Sequence, residues 1–122
     1  MVSDALGDSE AIDGTAGPLV PMPELTPEAL RVAVETIAPH RVPSLTAHLF
    51  EAATNAQQTQ SLGPLRAFVH SWAVFVAINR HPVRAARFRE LEQIVDTAEG
   101  DPLAAVDEIG RIRRTAELEV GL

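Results

Sequence analysis

Four histidines are the residues of this chain best suited to bind a metal ion or to transfer a proton near neutral pH: His40, His48, His70 and His81. No two of them are four residues apart, the spacing that aligns two imidazole ligands on one helix face. The chain contains no Cys, which excludes a thiolate metal site and a disulfide. We therefore expect structural or surface roles for the histidines, with no metal and no cofactor.

Nucleophilic and paired-carboxylate chemistry has equally little support. Ser44, Ser61 and Ser71 lie in neither a nucleophile elbow nor a Ser-x-x-Lys motif, and the chain has no Lys. Asp107 and Glu108 are adjacent, so on a helix their side chains diverge by about 100° and cannot face one substrate together. No catalytic residue is predicted, and we expect the protein not to be an enzyme.

The densest positive charge lies in ten residues that contain no acid, and its members are Arg80, His81, Arg84, Arg87 and Arg89. On a helix, Arg84 and Arg87 flank the direction of Leu91, beside the apolar face rather than opposite it. One interpretation is that their long stems cover the edge of the core. A second is that Arg80, Arg84 and Arg87 bind a partner that carries carboxylates or phosphates. A third is that the acidic N-terminus of the same chain folds back onto them.

The last predicted helix carries a smaller cationic cluster, which we expect to be balanced by acids three or four residues away. The cations are Arg111, Arg113 and Arg114, and the acids are Asp107, Glu108 and Glu117.

Charge is unevenly distributed along the 122 residues, whose formal net charge is −7. Residues 1–25 carry five acids and no Arg, whereas residues 26–122 carry 12 acids and ten Arg. The first segment is also rich in Gly, Ser and Pro, a composition that buries too little apolar surface to offset the entropy of ordering. The sequence therefore predicts a disordered acidic arm over residues 1–25 and one domain over residues 26–122.

The acidic arm contains an apolar patch formed by Leu19, Val20, Met22 and Leu25. This patch either packs onto the domain or docks onto a partner protein as an extended peptide. The arm begins without the basic and apolar regions of a signal peptide. No run approaches the roughly 18 apolar residues of a membrane span. We therefore expect a cytoplasmic location and no association with a membrane.

Five helices are predicted after the arm, because a proline marks the start of each. The starts are Thr26-Pro27, Pro43-Ser44, Gly63-Pro64, Pro82 and Asp101-Pro102. The fourth helix is expected to reach Ala98 and to stop at Gly100, and the fifth to turn Val106 inward. No segment alternates apolar and polar residues as a strand would. The fold class is therefore all-α, a compact bundle of about five helices.

The third predicted helix is the most apolar and should be central. Its main apolar face carries Trp72, for which we expect core packing. Val74 and Ile78 lie on the opposite side, so neighbours should surround its second half. If one apolar face remains available for a homodimer, these two residues are its candidates.

Three stretches carry a resemblance to a family of small actinobacterial helical proteins of unknown function. They are Thr26-Pro-Glu-Ala-Leu-Arg, Leu62-Gly-Pro-Leu-Arg-Ala-Phe-Val-His-Ser-Trp72 and Asn79-Arg-His-Pro82, within residues 24–99. The chain departs from the family where Asn79-Arg-His-Pro82 replaces an acidic cap, and its last helix lies outside the match. The resemblance implies no catalytic residues and suggests an antitoxin-like partner of a small basic protein.

Two functions remain as expectations. The first is a non-enzymatic protein-interaction module, antitoxin-like, whose acidic arm orders on a basic partner. The alternative is a DNA-binding regulator that places the helix of residues 82–98 against phosphates. The net charge of −7 opposes the second function, because it repels nucleic acid at long range.

Overall fold

The computed structural model describes residues 17–121, and all regular secondary structure within this range is helical. The α-helices are α1 (Pro27–Ile37), α2 (Val42–Thr59), α3 (Gly63–Asn79), α4 (Pro82–Thr97) and α5 (Pro102–Val120). A 3₁₀ turn over Pro39–Arg41 connects α1 to α2. The prediction of an all-α bundle of five helices is confirmed.

Local signals explain where the helices begin. Thr26 Oγ1 accepts a hydrogen bond from the Ala29 N–H at 3.1 Å, and Asp101 Oδ1 accepts one from the Ala104 N–H at 3.2 Å. Every helix has a proline in its first turn, where the missing N–H would have no partner within the helix. All five starts lie within about one residue of the predicted ones.

Helix α3 forms the centre of the bundle, as predicted, and contacts each of the other four helices. Phe68 and Val76 are fully buried, and Trp72 is only 6% exposed. Burying a side chain such as Phe68 stabilises the fold by ~1.5–3 kcal/mol. Because α1 also packs against α2, and α4 against α5, two helix pairs flank α3.

Val74 and Ile78, the predicted candidates for a homodimer face, are buried within the subunit at 7% and 4% exposure. Only two residues separate α3 from α4, and α4 packs against α3. The proposed dimer surface is therefore wrong, whereas the expectation that the second half of α3 is surrounded is confirmed.

Two details of α4 and α5 also differ from expectation. Val106 is 52% exposed because the preceding residue, Ala105, is the one that points into the bundle. Helix α4 ends at Thr97, and Ala98 rather than Gly100 is its C-cap, with a left-handed φ of 56°. The αL conformation is less favourable for alanine than for glycine.

The described part of the acidic arm, residues 17–25, lies on the surface of the bundle. Val20 and Met22 pack against the core, and the Leu19 N–H donates a hydrogen bond to the Arg80 carbonyl at 2.7 Å. The rest of the predicted disordered arm, residues 1–16, lies outside the described residues. None of the helices in the described range is long and apolar enough to cross a membrane.

Candidate functional site

The predicted arginine cluster is largely engaged inside the protein. Arg80 and Arg84 both donate to the carboxylate of Glu119 near the end of α5, at 3.1 and 2.7 Å. Arg84 also donates to the Ala77 carbonyl near the end of α3 at 2.9 Å. The two arginine side chains are only 14% and 22% exposed, so their guanidinium groups tie α3, α4 and α5 together.

Arg87, the third predicted partner-binding arginine, forms a two-pronged ion pair with Glu108 of α5. Its Nε and Nη2 atoms donate to the two carboxylate oxygens at 2.8 and 2.7 Å, and its Nη1 atom donates to Glu90. Hydrogen bonding from Arg87 lowers the pKa of Glu108 and outweighs desolvation. Glu108 was expected to pair with an arginine of its own helix, but the approach of α4 supplies a better-oriented fork.

His81 completes the ionic cluster around Glu119, since its Nε2 atom lies 3.7 Å from that carboxylate. Burial lowers the pKa of His81, and the positive charges of Arg84 and Arg80 add to this effect against the attraction of Glu119. The pKa of Glu119 is also lowered, chiefly by its hydrogen bond from Arg84. The cluster therefore holds Glu119 ionised and favours a neutral His81.

A cleft of about 590 Å³ opens between the two helix pairs. Helix α3 forms its floor through Ser71, Val74, Phe75, Ile78 and Asn79. The end of α1 and the 3₁₀ turn form one wall, and α4 forms the other through Pro82, Ala85, Phe88, Arg89 and Glu92. The volume lies within the range typical of ligand pockets, and the lining combines polar and apolar surface.

Three arginines line this cleft: Arg41 from the 3₁₀ turn, Arg89 from α4 and Arg113 from α5. Arg41 stacks over the Phe75 ring with 4.8 Å between its Cζ atom and the centroid, and Arg113 lies 5.4 Å from the Phe88 centroid. Within residues 17–121 none of the three forms a salt bridge, in contrast to Arg80, Arg84 and Arg87. Glu92 is the one acidic residue that lines the cleft among the described residues.

The cleft contains few of the residues that were predicted to bind a partner. Arg89 belongs to the predicted cluster, and Leu19 of the acidic arm lies on the rim. Arg41 and Arg113 were not predicted, because each lies on a different element and no local pattern places them together. The expected pairing of Arg113 with acids of α5 is absent, since its guanidinium lies over Phe88 instead.

The remaining patch residues of the arm lie elsewhere. Val20 and Met22 face the core, and Leu25 lines a shallow apolar depression of about 550 Å³ beside the start of α3. The structure thus favours packing of the patch onto the domain for Val20 and Met22. A role of these residues in binding a partner stays a prediction.

The histidines do not converge on a metal-binding arrangement. His48 accepts a hydrogen bond from the Trp72 indole N–H through Nδ1 at 2.9 Å, which requires the proton of the neutral ring to be on Nε2. His70 lies 3.7 Å from Glu117 and His40 lines the cleft. Among the described residues no three metal-binding side chains form a group that could hold an ion. Trp72 packs in the core, as expected.

Comparisons of the chain with protein-family models, with curated proteins and with solved structures find no match. The resemblance to an actinobacterial, antitoxin-like family therefore stays a prediction.

Proposed function

We propose that this protein is a non-enzymatic interaction module whose cleft binds an acidic, partly apolar segment of a partner protein. The observation that carries the proposal is the placement of Arg41, Arg89 and Arg113 around a cleft that also contains apolar surface, without salt-bridge partners in the described chain. Guanidinium groups form strong charge-assisted hydrogen bonds with carboxylates. Apolar side chains of the same segment would contact Phe75 and Phe88, which are partly exposed in the cleft.

A peptide fits the cleft for two reasons. The three guanidinium groups come from three different elements, so they suit acids spaced along a chain better than one compact anion. In addition, the rim already binds a segment of main chain, because the Leu19 N–H donates to the Arg80 carbonyl. Recognition of an extended segment by main-chain hydrogen bonds and alternate side chains is a common mode of peptide binding.

The DNA-binding alternative gains no support from the geometry. It needs the arginines of α4 to reach phosphates, but Arg84 and Arg87 donate to Glu119 and Glu108. Reaching DNA would break these ion pairs and leave carboxylates facing the phosphates. A small basic protein as partner of the acidic arm stays a separate prediction, since most acids of the arm lie in residues 1–16.

Fluorescence anisotropy with three labelled octapeptides tests the proposal. The peptides are alternating Asp-Leu, alternating Asp-Ser and alternating Lys-Leu. The protein is the full chain in which the acids of residues 1–16 are neutralised (D4N/D8N/E10Q/D13N), so that its own carboxylates do not compete. We expect the Asp-Leu peptide to bind tightest and the Lys-Leu peptide not to bind.

Charge reversal of the cleft provides the matched comparison. R89E/R113E should weaken binding of the Asp-Leu peptide by at least about tenfold, the equivalent of one lost charge-assisted hydrogen bond. The control R111E/R114E changes the net charge equally at two exposed α5 residues outside the cleft, and we expect less than about a twofold change. Equal losses in both variants, or no binding of the Asp-Leu peptide, would overturn the proposal.

A further inference from the structure

We propose that residues 1–16 of this chain occupy the same cleft and act as an intramolecular competitor of the partner segment. The inference rests on the proposed function in that it assigns an occupant to the same site. Its basis is separate, however, and consists of the composition of these residues, the position of Leu19 on the rim of the cleft, and the distance the segment must span.

The composition of residues 1–16 matches the chemistry of the cleft. They carry four acids, Asp4, Asp8, Glu10 and Asp13, and no Arg. Apolar residues, Leu6 and Ile12 among them, are interspersed with these acids. A segment of this kind offers carboxylates to the guanidinium groups and aliphatic side chains to the apolar surface of the cleft.

The described part of the arm passes the rim of the cleft. Leu19 lines the rim, and its N–H is bound to the Arg80 carbonyl beside the end of α3. Val20 and Met22 are held against the core immediately after it. Residues 1–16 thus connect, through Gly17 and Pro18, to a point at the end of the cleft that Asn79 and Pro82 line.

The length of the segment determines which of its acids can reach the arginines of the cleft. From Asn79 to Ser71 the floor helix rises roughly 12 Å, at about 1.5 Å per residue. An extended chain covers about 3.3 Å per residue, so the chain from Leu19 to Asp13 can reach at most roughly 20 Å, which is enough to span the cleft. Ile12 and Glu10 are one and three residues beyond Asp13 in the sequence, so they can reach the cleft as well. Asp13 and Glu10 are thus the acids we expect to face Arg89 and Arg113.

Cations nearer to the rim do not compete for these acids. Arg80 and Arg84 share the carboxylate of Glu119, so an incoming acid gains little by displacing it. Tethering raises the effective concentration of the segment at the cleft to the millimolar range. A partner segment must displace it, which lowers the apparent affinity of the partner.

Paramagnetic relaxation in the full-length protein tests this arrangement. Because the chain has no Cys, Ser9→Cys provides a single attachment point for a nitroxide label. We expect the amide signals of Ser71, Arg89 and Glu92 to be broadened much more than those of residues 55–59 at the end of α2. R89E/R113E should restore the cleft signals, whereas R111E/R114E should leave them broadened.

A second variant controls for structural effects of the charge reversals. D4N/D8N/E10Q/D13N leaves residues 17–122 unchanged, and in the labelled chain it should also restore the cleft signals. The wild-type chain should bind the Asp-Leu octapeptide at least about threefold more weakly than this neutralised variant. Cleft signals that are not selectively broadened, or that are broadened equally in R89E/R113E and R111E/R114E, would overturn the inference. If the neutralised variant still binds the peptide in that case, only the inference fails and the proposed function stands.

Discussion

Arg84 Nη2 donates a hydrogen bond to Glu119 Oε2 at 2.7 Å, and this contact joins the start of α4 to the end of α5 across 35 residues of sequence. The same carboxylate accepts from Arg80, so one acid neutralises two arginines at the junction of three helices. The junction lies beside the rim of the cleft, because Leu19 binds the Arg80 carbonyl. The ionic cluster therefore stabilises the framework that positions the cleft.

Replacing Glu119 with Ala should lower the free energy of unfolding by about 2 kcal/mol, because two largely buried guanidinium groups lose their partner. Urea denaturation monitored by circular dichroism measures the change. Glu108→Ala is the matched control, since it also removes an α5 acid bound to an α4 arginine. Its partner Arg87 is 43% exposed, so the loss should be clearly smaller. Equal losses would contradict the role assigned to Glu119.

Stability should fall as the pH is lowered below 6.5, the ordinary pKa of a histidine such as His81. The pKa of His81 is depressed in the folded state by burial and by Arg84 and Arg80, so the unfolded chain takes up the proton more readily. The loss continues until the pH passes the folded-state pKa. The pKa of Glu119 is also lowered, so its protonation causes a second loss of stability below pH 4.5, the ordinary pKa of a glutamate.

His81→Asn isolates the first of these effects, because asparagine does not titrate and is favourable at a helix N-cap. Its free energy of unfolding should depend less on pH than that of the wild type between pH 7 and about 5. His40→Asn is the control, as His40 lies in the exposed 3₁₀ turn. A pH dependence unchanged by His81→Asn would refute the assignment.

His48→Ala should destabilise the protein by about 1–3 kcal/mol, because it leaves the Trp72 indole N–H without its acceptor in a largely buried site. Exchange of the indole hydrogen, followed by nuclear magnetic resonance, should be faster in this variant. His48→Gln retains an acceptor, so its stability and its rate of indole exchange should lie between those of the wild type and of His48→Ala. The interpretation fails if the indole exchanges equally fast in the wild type and in His48→Ala.

Ala98→Gly should stabilise the protein by about 1 kcal/mol, because Ala98 caps α4 at a positive φ of 56°, which glycine adopts without steric cost. Ala86→Gly, at an exposed interior residue of the same helix, should have the opposite effect, a loss of about 0.5–1 kcal/mol. Thermal and urea unfolding of the two variants provide the comparison. A loss of stability in both would show that the cap is not strained.

The helices could be predicted from the sequence because their signals are local. A proline in the first turn and the caps of Thr26 and Asp101 act within about four residues of the helix start. The apolar periodicity of α3 identified Trp72 as a core residue for the same reason. Val106 was misplaced because a neighbouring apolar residue, Ala105, fits the buried stripe of α5 better.

The candidate site depended instead on contacts between residues far apart in the sequence. Ten arginines are visible in the sequence, but local spacing does not show which of them have carboxylate partners. Packing of α5 against α4 brings Glu119 to Arg84 and Glu108 to Arg87, so these two predicted binding arginines are neutralised within the chain. The same packing gathers Arg41, Arg89 and Arg113 around one cleft.

The sequence by itself thus determined the all-α class, the helix starts and the concentration of acids before residue 25, since each depends on neighbouring residues or on composition. Only the tertiary structure decided that Val74 and Ile78 are covered, which arginines are neutralised and where a cleft remains. The physical reason is that an ion pair or a buried face depends on how two helices approach each other, and that approach is set by the packing of the whole core around α3.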